Sequence, residues 1–451
     1  MFEFLFYKVY KVLTMLIRNH KLISNLLIIL AIFIFCIGFY IGENSAGAGT
    51  YDGDFKHVWI NLNTFLNNTI LEGINLTASG DPNIYKSSRT PLIYILNKIF
   101  NPFTNTKFEF VLSVFFLSFV VPLLFYFSIR KKFKNIDISL SVLISSIILI
   151  SPYFRTSAYW GLEENYGLIA VLTSFIFFQK IFYEKQKRNN IKFLYYFLLI
   201  FFSSSCVYLD QKLLIIPLIS ITYIIFLEED SRYKFFSIFF YFILSLPFLY
   251  LIYIWRNIIP NVDAEVRYVG RHFYLVHPGY VISIIAFYVF PLIFFKEKKI
   301  KRVFTDFFKS RFNRNLIYIF ILYLFLLVIF NAFSFNHHNY GRGIAHKLIV
   351  IFFTNTILQE IFTYIVFLIS FFVVLIFFEK NKKDLIILLY FILSSIFITP
   401  IFQEYYDPLI LIFIFTFFSK NFNVKYQSIF FLYFYNLFFL IGTNIYYQYL
   451  S

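Results

Sequence analysis

Two carboxylates, a histidine and a tryptophan stand together in Tyr51-Asp52-Gly53-Asp54-Phe55-Lys56-His57-Val58-Trp59, just after the first long apolar run. A carboxylate so placed can take the proton from an attacking hydroxyl, the work of a general base. Asp54 is the first candidate and Asp52 the alternate, with His57 and Trp59 beside them as substrate contacts. Both acids could instead cap the helix predicted over Phe55 to Leu66. Further along, Tyr85-Lys86-Ser87-Ser88-Arg89-Thr90-Pro91 carries a guanidinium whose planar fork suits a phosphate. At a lipid interface the same Arg89 could bind headgroups or extend its charge toward water.

Other polar groups break the apolar runs. Trp160, Glu163 and Glu164 lie in Tyr159-Trp160-Gly161-Leu162-Glu163-Glu164, and Asp210-Gln211-Lys212 fills a tight connection as a possible local ion pair. His338, Arg342 and Lys347 fall in the stretch 335–357, and Glu404 and Tyr405 precede Pro408. Ionisable groups in or near a membrane are costly, so they read as functional by default, although loops are polar anyway. No metal site is indicated: adjacent His337 and His338 diverge on a helix, and there is no HExxH or CxxC spacing. No cofactor is required, and carboxylates holding Mg²⁺ or Mn²⁺ with waters stay open as an alternative. A Walker loop and GxGxxG are both missing, which argues against a nucleotide-driven engine.

The elements that must position these groups are apolar. The chain of 451 residues is 60% apolar, 24% aromatic and 14% charged, far from the balance of a soluble domain. A helix needs about 20 apolar residues to cross the hydrocarbon, and lipid leaves helices as the default because it offers backbone groups no partners. Runs at or near that length fall at 22–42, 108–129, 136–152, 166–183, 193–209, 213–227, 235–255, 279–295, 315–334, 358–378, 385–400, 408–419 and 427–446. The expectation is an all-α polytopic membrane protein with about 13 transmembrane helices, within a range of 11–13, the shortest runs being least certain.

Charge sets the orientation. With the N-terminus inside, the inner segments hold 27 of the 40 Lys and Arg, as the positive-inside rule requires. The formal charge of +16 therefore reflects topology and not a nucleic-acid partner. Residues 1–451 are expected to form one integral membrane domain, with 1–21 a cytoplasmic amphipathic segment and 43–107 the long first outer loop. The first apolar run is long enough to be a retained anchor. Cys36 and Cys206 both lie in apolar stretches, so no disulfide framework is indicated. The Phe, Ile, Lys, Asn and Tyr richness suggests a bacterial inner membrane, with the acidic loop facing the periplasm.

Many membrane helices, an acidic motif opening the first outer loop and no nucleotide fold resemble the C-type superfamily of polyprenyl-phosphate-sugar glycosyltransferases. The dolichyl-phosphate-glucose α-1,2-glucosyltransferase family is the nearest flavour. Its Asp-Glu-x-x-His motif is matched in part by Asp54 and His57, with Gly53 where the first acid would stand. Its Pro-Gly-Leu-Tyr segment is echoed by Pro91 and Tyr94, and a late Arg-Tyr-aromatic segment by Tyr405, Tyr406 and Pro408, with Glu404 replacing the Arg. The resemblance implies that a first-loop carboxylate activates an acceptor hydroxyl, which displaces a polyprenyl phosphate from the sugar with inversion. It implies a polyprenyl-phosphate-linked sugar as donor, a glycan or glycolipid as acceptor, and the bilayer as surroundings. Arg89, Arg342, His338 and Lys347 become candidates for the phosphate, and Trp59, Trp160 and Tyr405 offer flat faces to a sugar ring. Two other classes compete: a flippase for a lipid-linked saccharide, and an O-antigen-type polymerase or ligase using the later Arg and His loops. Either should largely survive Asp54→Asn.

Overall fold

The computed structural model describes residues 19–47, 49–182, 189–260, 273–296, 310–330, 341–378, 382–398, 400–419 and 422–450. Among these the chain is helical throughout, with no strand. The helices group into two units: Met1–Val266 with Phe415–Phe417 and Asn436–Ser451, and Arg267–Ile414 with Phe418–Tyr435. The amphipathic segment expected at 1–21 lies almost wholly outside the described residues, as does His338.

In the first unit, α1 is His20–Tyr40, α2 is Asp54–Asn67, α3 is Leu92–Phe100 and α4 is Lys107–Lys132. They are followed by α5 (Pro152–Tyr159), α6 (Glu164–Phe182), α7 (Asn189–Leu209) and α8 (Ser231–Trp255). In the second unit, α9 is His277–Ile293, α10 is Gly343–Phe352 and α11 is Thr356–Phe378.

Seven described helices are long and apolar enough to cross a membrane, and an eighth is added if Ile138–Ile150 and α5, bent by 67°, form one span. Their surfaces fit that environment. Along α1, Ser24, Leu27, Ala31, Phe35 and Gly38 turn inward at steps of three and four, while Leu26, Ile29 and Phe33 are exposed on other faces. Only 11% of the apolar window of α8 is buried. Apolar area on that scale is stable only against lipid.

Other apolar runs have a different explanation. α9 has only 17 residues and is buried at nearly every position, and 409–416 is a short helix buried throughout. A helix that is apolar all round is one that is buried all round, by protein or by lipid. Hydropathy alone does not separate the two.

A buried ion pair fixes the start of the long loop. Glu43 accepts from Arg155 Nε at 3.0 Å and pairs with its Nη2, and Asn444 Nδ2 donates to the same carboxylate at 3.1 Å. Arg155 Nη1 and Nη2 also reach the carbonyls of Leu149 and Ile34, each at 3.0 Å. The guanidinium thus bridges α1, the bend before α5 and the first loop. Gly38 makes the approach possible: a Cβ there would lie 2.5 Å from Glu43 Oε2 and 2.6 Å from the Tyr159 hydroxyl.

Candidate functional site

The long first loop folds back onto the elbow between α5 and α6. Asn44 Oδ1 accepts from the N–H groups of Gly47 and Gly49, each at 2.9 Å, closing the glycine-rich turn. The Trp160 indole N–H donates to the carbonyl of Glu43 at 3.0 Å, and Tyr51 meets the Trp160 ring edge-on at 5.4 Å. Phe55, fully buried, stacks on Trp59 and lies edge-on to Tyr51. Gly161 turns the elbow at φ +61°, in the left-handed region, with the Phe110 ring 3.1 Å from where its Cβ would be.

These contacts set the N-terminus of α2. The N-cap is Gly53, so neither Asp52 nor Asp54 occupies that position; Asp54 opens the first turn. Both aspartates are exposed, while His57 and Trp59 are half-buried on the same helix.

Beneath this helix lies a charged network. Arg89 forms ion pairs with Glu163 through Nη1 and with Glu164 through Nη2, and its Nε lies 3.7 Å from Asp210. Lys212 Nζ stands 3.6 Å from the same Asp210 oxygen, and the Ser157 hydroxyl donates to Glu164 at 3.0 Å. The guanidinium expected to face a phosphate is therefore occupied by carboxylates. Burial opposes the charge on Arg89, but Glu164, Glu163 and Asp210 more than reverse this and hold it well above its usual range. Three carboxylates face two cations, leaving one negative charge in excess.

A second strand of the network returns to α2. Tyr94 donates its hydroxyl to Glu163, and Asn61 Nδ2 donates to that hydroxyl at 2.8 Å. Asn61 also brackets Lys86, donating to its carbonyl at 3.0 Å and accepting from its N–H at 2.7 Å. Burial and the neighbouring Glu163 push Tyr94 well above the usual phenol range, so it remains a neutral donor. Glu163 and Glu164 were legible as candidates, whereas Asn61 was not, and Tyr94 entered only as a motif echo. Asp210 and Lys212 were open to reading as a local ion pair; they are one at 3.6 Å, and Asp210 also faces Arg89.

The second unit has its own cluster. Arg342, at φ 66°, is the N-cap of α10. Its guanidinium lies 5.6 Å over the Tyr280 ring, and Nη1 is 3.4 Å from His346 Nε2. Burial, with Arg342 adding to it, pushes His346 down to about 3, so the ring is neutral. Gln403 accepts from the N–H of Ile344 at 2.8 Å and fixes the first turn of the helix. Lys347 is half-buried; burial lowers it to about 8, with the charge of Glu404 pulling the other way. Tyr405 packs its ring 5.5 Å from Phe402. At ten residues, α10 is about 15 Å long, too short to cross a bilayer.

Among the described residues, no group of three or more His, Cys, Asp or Glu is arranged to hold a metal ion. No protein family, no curated protein and no solved structure matches the chain.

Proposed function

We propose that this integral membrane protein is a glycosyltransferase that moves a sugar from a polyprenyl-phosphate donor to an acceptor hydroxyl on the outer face. Asp54 is the general base, with Asp52 as the orienting or alternate acid. The acceptor oxygen attacks the anomeric carbon with inversion and its proton passes to Asp54. The bond from that carbon to the phosphate oxygen breaks, its electron pair leaving with the polyprenyl phosphate. Arg89, the first candidate for the phosphate, is committed to carboxylates. Trp59 and Trp160 offer ring faces to a sugar.

One observation carries this reading. An exposed carboxylate opens a helix that Asn61, Tyr94 and the Arg89 network hold in place from below. A base works when it is accessible and its support is rigid. A count of 11–13 crossings, a cytoplasmic N-terminus and a site facing the periplasm of a bacterial inner membrane complete the proposal, on the distribution of Lys and Arg.

The test is transfer of labelled sugar from a panel of synthetic polyprenyl-phosphate sugars by purified protein. Asp54→Asn should lower the rate by about 10²–10⁴, the usual contribution of a general base. Loss in Asp52→Asn alone would move the base two residues earlier. Full transfer by both variants would remove the first loop from the chemistry.

A further inference from the structure

A cleft of about 800 Å³ opens in the first unit between α3, α4, α6 and α7. Its volume lies in the upper part of the range of small-molecule sites, about 300–1,000 Å³. Leu96 and Phe100 of α3, Phe116 and Leu117 of α4, Ala170 of α6 and Phe201 of α7 form its apolar walls. A polar strip crosses them. Tyr166 donates to Asn97 Oδ1 at 3.0 Å, and Asn101 Nδ2 donates to Asn97 Oδ1 and to Ser113 Oγ, each at 2.9 Å. Asn97 Nδ2 is taken by the carbonyl of Ile93, and Asn101 Oδ1 by the N–H of Phe103. The strip satisfies itself and carries no charge, so the cleft suits a hydrocarbon chain.

The chemistry at its ends narrows the choice of lipid. Leu92, Tyr166 and Leu209 line the cleft and follow or precede Arg89, Glu164 and Asp210 by one to three residues. One end of the cleft thus abuts the charged network, where three carboxylates face two cations. Among the described residues lining the cleft, the only charged side chain is Glu109, another acid. An anionic headgroup would meet like charge at both places. A sugar headgroup would instead donate its hydroxyls to Glu164 and Asp210 in charge-assisted hydrogen bonds.

We infer that this cleft seats the hydrocarbon chain of a neutral glycolipid, whose uncharged, hydroxylated headgroup lies at Glu164 and Asp210. Under the glycosyltransferase reading, on which this assignment rests, that lipid is the acceptor. The donor, with its phosphate, is excluded from the cleft.

The experiment uses the full chain in detergent and a monoglucosyl diacylglycerol carrying a diazirine in one acyl chain. Photocrosslinked peptides are mapped by mass spectrometry, with unlabelled monoglucosyl diacylglycerol, phosphatidylglycerol and undecaprenyl phosphate as competitors. Crosslinks should concentrate in 96–117 and 201–209, and the neutral glycolipid should compete at least tenfold better than either anionic lipid. Leu96→Trp, which fills the cleft, should reduce labelling at least fivefold. Labelling spread evenly onto lipid-facing α8, or equal competition by the anionic lipids, overturns the assignment. The map on the unsubstituted protein decides this even if Leu96→Trp fails to fold. Cleft labelling without sugar transfer by any donor would sustain the lipid assignment and remove the enzyme reading. Transfer to the glycolipid without cleft labelling would do the reverse.

Discussion

Asn61 donates to the Tyr94 hydroxyl at 2.8 Å, and Tyr94 in turn donates to Glu163. Asn61 lies seven residues beyond Asp54, two turns along α2. The helix that presents the exposed carboxylate is therefore tied to the Arg89 network through one buried amide and one buried phenol.

Replacing Asn61 by Leu leaves the Lys86 N–H without its acceptor and removes donors from the Lys86 carbonyl and the Tyr94 hydroxyl. An orphaned buried polar group costs about 1–3 kcal/mol, so the denaturation midpoint in detergent should fall clearly. Asn61→Asp keeps the acceptor for Lys86 but turns an acceptor oxygen toward the Lys86 carbonyl and the Tyr94 hydroxyl, beside Glu163, and should cost at least as much as the leucine. Equal stability of all three proteins would show that α2 is held elsewhere.

Arg89 gives a larger effect. Arg89→Gln leaves Glu163, Glu164 and Asp210 facing one another with only Lys212 to offset them, and removing one partner of a buried ion pair costs about 3–5 kcal/mol. Asp137→Asn is the contrast: its pair with Lys21 spans 3.9 Å with side chains 37% and 70% exposed, so the cost should stay below about 1 kcal/mol. Chemical denaturation of both variants measures the difference. Comparable losses would mean that the Arg89 network is far wetter than its burial indicates.

The contrast between these residues shows what the chain's pattern could reveal. Helical membrane segments were legible because lipid demands long apolar runs, and the polar and charged residues between those runs stood out against them. Pairings were not legible, since Arg89 meets a partner 74 residues away in Glu163. Asn61 carried no signal, because a polar residue on a loop helix normally faces water, and Tyr94 stood out only as a motif echo, with nothing to mark it as a donor to Glu163. Arg155 did carry one: a guanidinium inside an otherwise apolar stretch requires a buried partner. The number of crossings was blurred for the opposite reason, since α9 is apolar because protein surrounds it.

Gly38→Ala should disturb the Arg155–Glu43 pair directly. The added methyl meets Arg155, Glu43 and the Tyr159 hydroxyl at distances no real side chain tolerates, and overpacking of this kind costs about 1–3 kcal/mol. Gly442→Ala, where the methyl would have open space within 4 Å, should be neutral or slightly stabilising. Thermal unfolding of the two variants in parallel separates steric collision from helix propensity. A fall for Gly442→Ala as large as that for Gly38→Ala would refute the collision.

If Lys347 holds phosphate, anion binding should depend on pH in an unusual window. Burial lowers its amine to about 8, whereas an exposed lysine keeps its charge to about 10.4. The charge is present below pH 8 and lost above it, so affinity for pyrophosphate, a soluble phosphate probe, should fall between pH 7 and 9. Folding stability moves the other way. Between about pH 8 and 10.4 the unfolded chain binds more protons at this site than the folded one, so stability rises with pH there. Lys347→Arg fixes the charge and should flatten the binding profile. Isothermal titration at pH 7 and 9 checks both proteins, and identical pyrophosphate affinity of the unsubstituted protein at the two values would take Lys347 out of the phosphate site.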